Sequence, residues 1–517
     1  MRYILYLLFF LCSTLLKAQG FKVRHSIPNA SANSTKALFE ISPGNYIGAG
    51  FVIDTSSGQA INCIAIMGLG SQGQLLWTKK YKGHKIEYYN NGLIQRCFYQ
   101  KDNFLYYAGC AVDTAGNNIG VFLKFNMNGD TLWQRKYKDS TLIDLIPQMV
   151  TASVDNGFLM TGFFQNWITN TQQGLILKTD ANGNELWRKK INKLAPNVQD
   201  GKAIVQDSAS KKIAVVGYQY FNSIDVHDNI LILDSIGNKI YQGSFCSSGV
   251  GGAAWDLVQT KDSKLLMVGL QIYSESIGGY NCNRSFAVKF DIDSPATPIW
   301  KIDGYDKLGI YNAFSCVTEL KNGDLLMGGY IDTLQGVWSG PNNQPGNIFT
   351  RLTIADANGN IKWNRYYNYK TNVGLNENKQ QIHSINACSD GSWLAAIEGY
   401  NYPGVNPFLF VKYDSTGCDS SLFYCSNLYS VGLNKQININ QKFRTFPNPV
   451  KDVLHLEIDH SEEIEIRILD IYGKEIHQEK INRRSSIDLS AIKTGMYLLS
   501  VTKDKEVIYT TKIVKED

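Results

Sequence analysis
Seven short apolar runs close on glycine at nearly regular intervals: YIGAG to Gly50, FLYYAG to Gly109, FLMTG to Gly162, IAVVG to Gly217, LLMVG to Gly269, LLMGG to Gly329 and WLAAIEG to Gly399. The steps from Gly50 to Gly399 average about 58 residues. Each run is followed by a second one of similar length, such as VFLKF, LILKT, ILILD, FAVKF or FLFVK, and preceded by another, as YNAFSCVTEL precedes KNGDLLMGGY. Their length, alternation and flanking turn residues predict β-strands, and no helical period of useful length interrupts them. A fourth run follows a corner typified by LKTDANGNELWRKK. There an Asp or Asn is followed by Gly three residues on and an aromatic seven residues on: Asn126-Gly129-Trp133, Asp180-Gly183-Trp187, Asp234-Gly237-Tyr241 and Asp356-Gly359-Trp363. Unit one keeps Gly73 and Trp77 with Gly70 in the acidic place, Asp293 and Trp300 keep the spacing with prolines between, and Asp414-Gly417 is followed by Ser421.

Four strands repeated seven times predict an all-β chain whose main body is a seven-bladed β-propeller, because radial stacking hides both faces of each small sheet and leaves only short edges. A linear solenoid is the rival, with a shorter usual repeat. The corner is expected between the third and fourth strands, with Asp bonding backbone N–H groups, Gly taking a positive φ, and Trp packing between blades. A calcium loop is the other reading of Asp180-Ala-Asn-Gly-Asn. An EF-hand needs a bidentate Glu at its twelfth position, where Ile191 and Tyr367 stand after Asp180 and Asp356. No metal and no cofactor is therefore expected. The corner resembles quinoprotein-like propeller repeats and, less closely, the Asp-box of sialidase-type propellers. Quinone-dependent members use a vicinal Cys-Cys pair that is absent here, so the resemblance implies only the fold. The last unit lacks its own Trp-bearing strand, and Phe21 to Ile27 are expected to supply one and clasp the ring.

The two ends are different objects. Residues 1–19 hold Arg2, an apolar stretch from Ile4 to Leu16 and Ala18-Gln19, the pattern of a cleaved export signal, and no later segment reaches the length of a membrane span. The repeat domain is expected over 20–430 and a polar linker over 431–442. From Phe443 onward 26 of 75 residues are charged, against 19% for the chain. Clean alternation at Leu454, Leu456, Ile458, at Ile464, Ile466, Ile468 and at Tyr497, Leu499, Val501 predicts a small Ig-like β-sandwich over 443–517. This segment resembles the type A C-terminal sorting domain of the type IX secretion system of Bacteroidota. The marks are Pro447-Asn448-Pro449, Leu469-Asp470-Ile471-Tyr472-Gly473, Gly495-Met496-Tyr497 and Lys512-Ile513-Val514. The resemblance implies export, passage through an outer-membrane translocon, and attachment or release by a sortase.

Charge and chemistry narrow the function further. A net charge of +5 without any Lys/Arg block gives no face for nucleic acid. Nine cysteines remain after the signal; Cys418 and Cys425 are spaced to staple a local loop, and Cys63, Cys97 and Cys316 lie in apolar runs as small hydrophobes. No H-E-x-x-H, G-x-S-x-G or Walker loop is present, and His25, His84, His227 and His383 are isolated, so no catalytic residue is assigned. Carboxylate pairs on distant blades would leave no local trace. GSFCSSGVGGAAW reads as a connection between blades rather than a phosphate cradle, and Asp-Ser/Thr-apolar triplets at Asp113, Asp130, Asp207, Asp234 and Asp332 resemble an O-glycosylation signal. Long connections between second and third strands, YSESIGGYNCNRS, DTLQGVWSGPNNQPGN and GYNYPGVNP, mix Tyr, Trp, Asn and Gly. Trp167, Tyr280, Trp338 and Tyr402 are the expected ligand-binding residues, for glycans or surface proteins. The expected function is a non-catalytic binding or adhesion module, secreted or on the cell surface; the alternative is an extracellular hydrolase of polysaccharide or peptide.

Overall fold
The computed structural model describes residues 20–82, 87–89, 96–112, 116, 118–139, 143–166, 168–169, 171–191, 199–220, 226–246, 251–277, 280–305, 312–332, 348–367, 369, 377–401, 407–419, 443–458, 464–470, 475–481, 484–503 and 506–516. Two compact units divide the chain, 1–432 and 433–517. The described residues of both are strands and turns without a helix.

In the first unit the strands form seven antiparallel sheets in chain order. Blade one comprises Ala30–Ser42, Asn45–Asp54, Ile61–Leu69 and Leu75–Tyr81, blade two Glu87–Tyr89 and Phe98–Lys101, both paired to Phe104–Val112, then Asn118–Asn126 and Thr131–Tyr137, and blade three Ile143–Ala152, Phe158–Asn166, Thr171–Thr179 and Glu185–Lys190. Blade four runs Gln199–Gln206, Ile213–Tyr220, Val226–Leu233, Lys239–Gly243, and blade six Asn312–Glu319, Leu325–Asp332, Ile348–Ala355, Ile361–Tyr367. Blade five is the longest, with Gly251–Gln259, Leu265–Ile277, Tyr280–Asp291 and Ser294–Tyr305. Apolar clusters join neighbours around the ring; one of them packs Phe408, Phe410 and Leu394 of blade seven on Leu38, Tyr46 and Met67 of blade one. Blade seven holds Glu377–Ala387, Trp393–Asn401 and Phe408–Tyr413, and its outermost strand is Phe21–His25, paired from Phe21–Lys412 to His25–Phe408. The expected clasp is thus present.

The corners are solved between neighbours. Asp356 Oδ1 accepts the N–H groups of Asn358 and Asn360, each at 2.9 Å, and its Oδ2 accepts the Asn360 side-chain amide. Asp180 and Asp234 repeat these bonds, and Asn126 supplies the same acceptor in blade two. These hydrogen bonds, led by the Asn238 N–H at Asp234 and the Asn360 side chain at Asp356, hold both carboxyls below the usual range. Gly183 has φ +76°, and a Cβ on it would stand 2.8 Å from the indole of Trp133 in the preceding blade. The same approach pairs Trp77 with Gly129, Trp187 with Gly237, Trp300 with Gly359 and Trp363 with Gly417. Tyr137 and Tyr367 add hydroxyl bonds to the carbonyls of Gly183 and Gly417 at 2.7 and 2.6 Å. At the clasp, Phe21 and Val23 cover Gly73 in place of an indole. Where blade four meets blade five, whose corner has no glycine, Phe245 packs on Phe290 with ring centroids 5.3 Å apart.

The strand glycines have another cause. The innermost strands carry a bulge at Lys36, Gln148, Lys202, Trp255, Ser315 and His383, where the register skips one residue. The bulge drives a carbonyl of the inner strand into the space a Cβ would need, Asp200 O at Gly217 and Ala313 O at Gly329, so only glycine fits opposite it. Three sequence readings are corrected. In blade seven Ile397, not Gly399, stands opposite the bulge, and a Cβ on Gly399 would meet open space. In blade five the corner acid is Asp291, whose Oδ1 accepts the Asp293 N–H at 3.0 Å, and Asp293 pairs outward with Lys212 at 2.5 Å. The described part of YSESIGGYNCNRS is strand, not loop: Tyr273 pairs with Cys282 and Ile277 with Tyr280, extending the hairpin.

The second unit has a three-stranded sheet, Phe443–Phe446, Val453–Ile458, Arg484–Asp488, and a four-stranded one ordered Glu475–Ile481, Ile464–Asp470, Gly495–Lys503, Glu506–Lys515. Leu454, Leu456, Ile466, Ile468, Leu499 and Val501 fill its core, as their alternation predicts.

Candidate functional site
Antiparallel order puts the turns between strands one and two, and the Asp corners, on one face of the ring. The second-to-third connections and the passages between blades belong to the other. On the corner face the acceptor oxygens are spent on the turns themselves. The remaining polar chemistry lies on the innermost strands, which border the ring axis, and the bulges concentrate it there.

Three groups of charges meet at this inner edge. Between blades one and seven, Glu398 receives Lys36 Nζ at 2.8 Å, His383 Nε2 at 2.5 Å and the Ser34 hydroxyl at 2.8 Å. Burial opposes the Glu398 charge, but Lys36 and His383 overcome it and hold the carboxyl far below the usual range. Arg96 of blade two crosses to Asp256 of blade five at 2.8 Å and to the Val317 carbonyl of blade six at 2.6 Å. Asp256 also accepts the N–H groups of Leu257 and Val317. Lys202 in blade four bonds Asp200 at 2.7 Å and Gln148 of blade three at 2.9 Å. Burial dominates at Asp200 and Asp256 and raises both carboxyls despite the cations beside them.

Beside Lys202 lies an aromatic arc. Its ammonium sits 5.3 Å over the Tyr218 ring, and Trp255, the bulge residue of blade five, faces Tyr330 of blade six at 6.1 Å and 34°. The sequence carried one trace of it: Tyr218 and Tyr330 each follow a landmark glycine directly. Nothing local joined either to Trp255.

Of the residues expected to bind a ligand, Tyr280 opens the third strand of blade five, while Trp167, Trp338 and Tyr402 lie outside the described residues. Cys418 is disulfide-bonded, and Cys425 lies outside the described residues. Cys63, Cys97 and Cys316 are free and buried. In the second unit the sorting marks converge from both ends of the module: Asn448 Oδ1 accepts the Val514 N–H at 2.9 Å, and Val450 N–H bonds the Val514 carbonyl at 2.7 Å. Pro447 and Pro449 both follow cis peptide bonds and are exposed. Lys512 pairs with Leu498, Gly495 opens the third strand of its sheet, and the Tyr497 hydroxyl caps the Lys493 carbonyl at 2.7 Å. Gly473 lies outside the described residues.

No curated protein matches the chain. Among solved structures, a protein of unknown function from Dyadobacter fermentans is similar at 10% identity and TM-score 0.42, over 77% of this chain and 98% of that one. The β-propeller domain of the Trilobed protease from Pyrococcus furiosus is similar at 9% and 0.41, over 77% and 99%. A PL25 ulvan lyase bound to -[GlcA(1-4)Rha3S]- is similar at 11% and 0.44, over 80% and 98%. The secretion system C-terminal sorting domain family matches residues 444–516. The chain is thus a β-propeller protein carrying, at its C-terminal end, a sorting domain of the type IX secretion system.

Proposed function
We propose that this protein is exported by a cleaved signal over residues 1–19. The propeller over 20–430 is cargo, a linker over 431–442 joins it to the sorting domain over 443–517, and the translocon and sortase of the type IX system are its partners. Among the chain's described residues no helix is long and apolar enough to cross a membrane. The protein acts at the cell surface, or is released from it, as a non-catalytic binding and adhesion module of a Bacteroidota cell. The ligand, a glycan or a surface protein, meets the face of the second-to-third connections, where Trp167, Tyr280, Trp338 and Tyr402 belong.

One observation carries the binding reading: the charged groups at the axis are locked into ion pairs across blades, Lys36 and His383 on Glu398 and Arg96 on Asp256, which suits a rigid scaffold. The raised carboxyls of Asp200 and Asp256 favour a second reading, an extracellular hydrolase, since a general acid needs such a shift. Purified protein incubated with polysaccharides and peptides separates the two: retention on the polymer without soluble products supports the binder, and steady product release rejects it. Alanine at Trp338 and Tyr402 together is expected to weaken retention, and unchanged retention removes those residues from the site.

A further inference from the structure
We propose that the inner edge of blades four to six is a subsite for one pyranose ring of a neutral glycan, stacked on Trp255 and hydrogen-bonded to Asp200 and Lys202. The proposal deepens the binding reading and rests on it. Trp255 is the residue expelled by the blade-five bulge, and it stays partly exposed at the ring axis, packed beside Tyr218 and facing Tyr330. The outer-strand tryptophans are covered by the corner of the next blade, as Trp133 is by Gly183. Trp255 stands on the innermost strand, where no corner is available to it.

The polar half is as specific. Asp200 is opposite Tyr218 in register, so the two side chains share a face, and the Tyr218 hydroxyl reaches Asp200 Oδ2 at 3.4 Å. Asp200 is 2% exposed, yet its Oδ1 has no hydrogen-bond partner. A buried acceptor left open in this way is available to an occupant able to donate. Lys202, bonded to the same carboxylate and to Gln148, supplies donors alongside. An acceptor and a donor side by side fit adjacent hydroxyls of a sugar, whose C–H face lies against the indole. The charges select among glycans: Lys202 is balanced by Asp200 and Arg96 by Asp256, so neither of these two cations is left over for a uronate or sulfate.

The test is calorimetric titration of the full mature chain with cellopentaose, mannopentaose and chitopentaose, beside an alginate pentamer and a panel of matrix proteins. At least one neutral oligosaccharide is expected to bind. Trp255→Ala should weaken it by about tenfold or more, and Trp255→Phe should hold it within about threefold, with melting curves confirming that both variants fold. Unchanged affinity in Trp255→Ala, or no binding by any of the three neutral probes, overturns the subsite. Binding confined to alginate or to a protein overturns the subsite and leaves the binding module standing. Release of shorter sugars from a bound probe overturns the non-catalytic reading instead.

Discussion
Asp356 and Gly183 show how much one corner residue does for two blades. Asp234→Ala should cost about 1 kcal/mol in urea unfolding, because two backbone N–H groups and the Asn238 amide lose their acceptor. Asp234→Asn should be nearly silent, since Asn126 already fills this role. The lowered carboxyls of Asp234 and Asp356 give a pH signature. Their stabilisation is complete above the unfolded carboxyl range near pH 4 and is lost as pH falls through the lower folded values. Replacing both by Asn should flatten the acid limb of a stability profile measured from pH 6 to 2. Gly183→Ala adds a clash with Trp133 to the strain of φ +76°, while Gly323→Ala, at φ +86° with open space around it, adds strain alone. The first should cost about 2–4 kcal/mol and the second about 1–2. Equal losses would mean that the indole contact contributes nothing.

Two elements at the seam between blades one and seven decide whether the ring holds. The strand Phe21–His25 closes the last sheet, so deleting residues 20–25 should lower the melting temperature by more than about 5 °C and broaden the transition. An unchanged melting curve rejects the clasp. Deeper in the seam, Glu398→Gln leaves Lys36 without its carboxylate in a buried site and should cost about 3–5 kcal/mol. Lys36→Met with Glu398→Leu should recover much of that loss in the same denaturation assay, because no lone buried charge remains beyond the His383 ring. Each folded blade edge also needs its neighbour, which is why the strand Phe21–His25 completes the last sheet.

For the whole molecule, the chain divides into two compact units, 1–432 and 433–517. The sorting unit joins its Pro447-Asn448-Pro449 start to its Lys512-Ile513-Val514 end, so its motif is one patch of structure spread over two ends of the sequence. Removing residues 443–517 should leave the propeller folded and stop its appearance outside the cell, followed by immunoblot of medium and cell fractions. Secretion without that unit would contradict the family match.

Blade number, strand order, the Asp corners and the sorting module were all legible in the residues, because each rests on contacts among neighbours in the chain: a turn acceptor, a positive φ, an alternating face. Even here local reading slipped where spacing changed. The longer corner of blade five hid Asp291 behind Asp293, and Gly399 imitated a glycine that the bulge in blade seven does not require. The axis was beyond reach of the sequence. Tyr218, Trp255 and Tyr330 come from three blades, Arg96 crosses from blade two to blades five and six, and Lys36 and Glu398 are joined only when the ring closes. Such groups meet because seven sheets converge on one line, and convergence is a property of packing that no single repeat encodes.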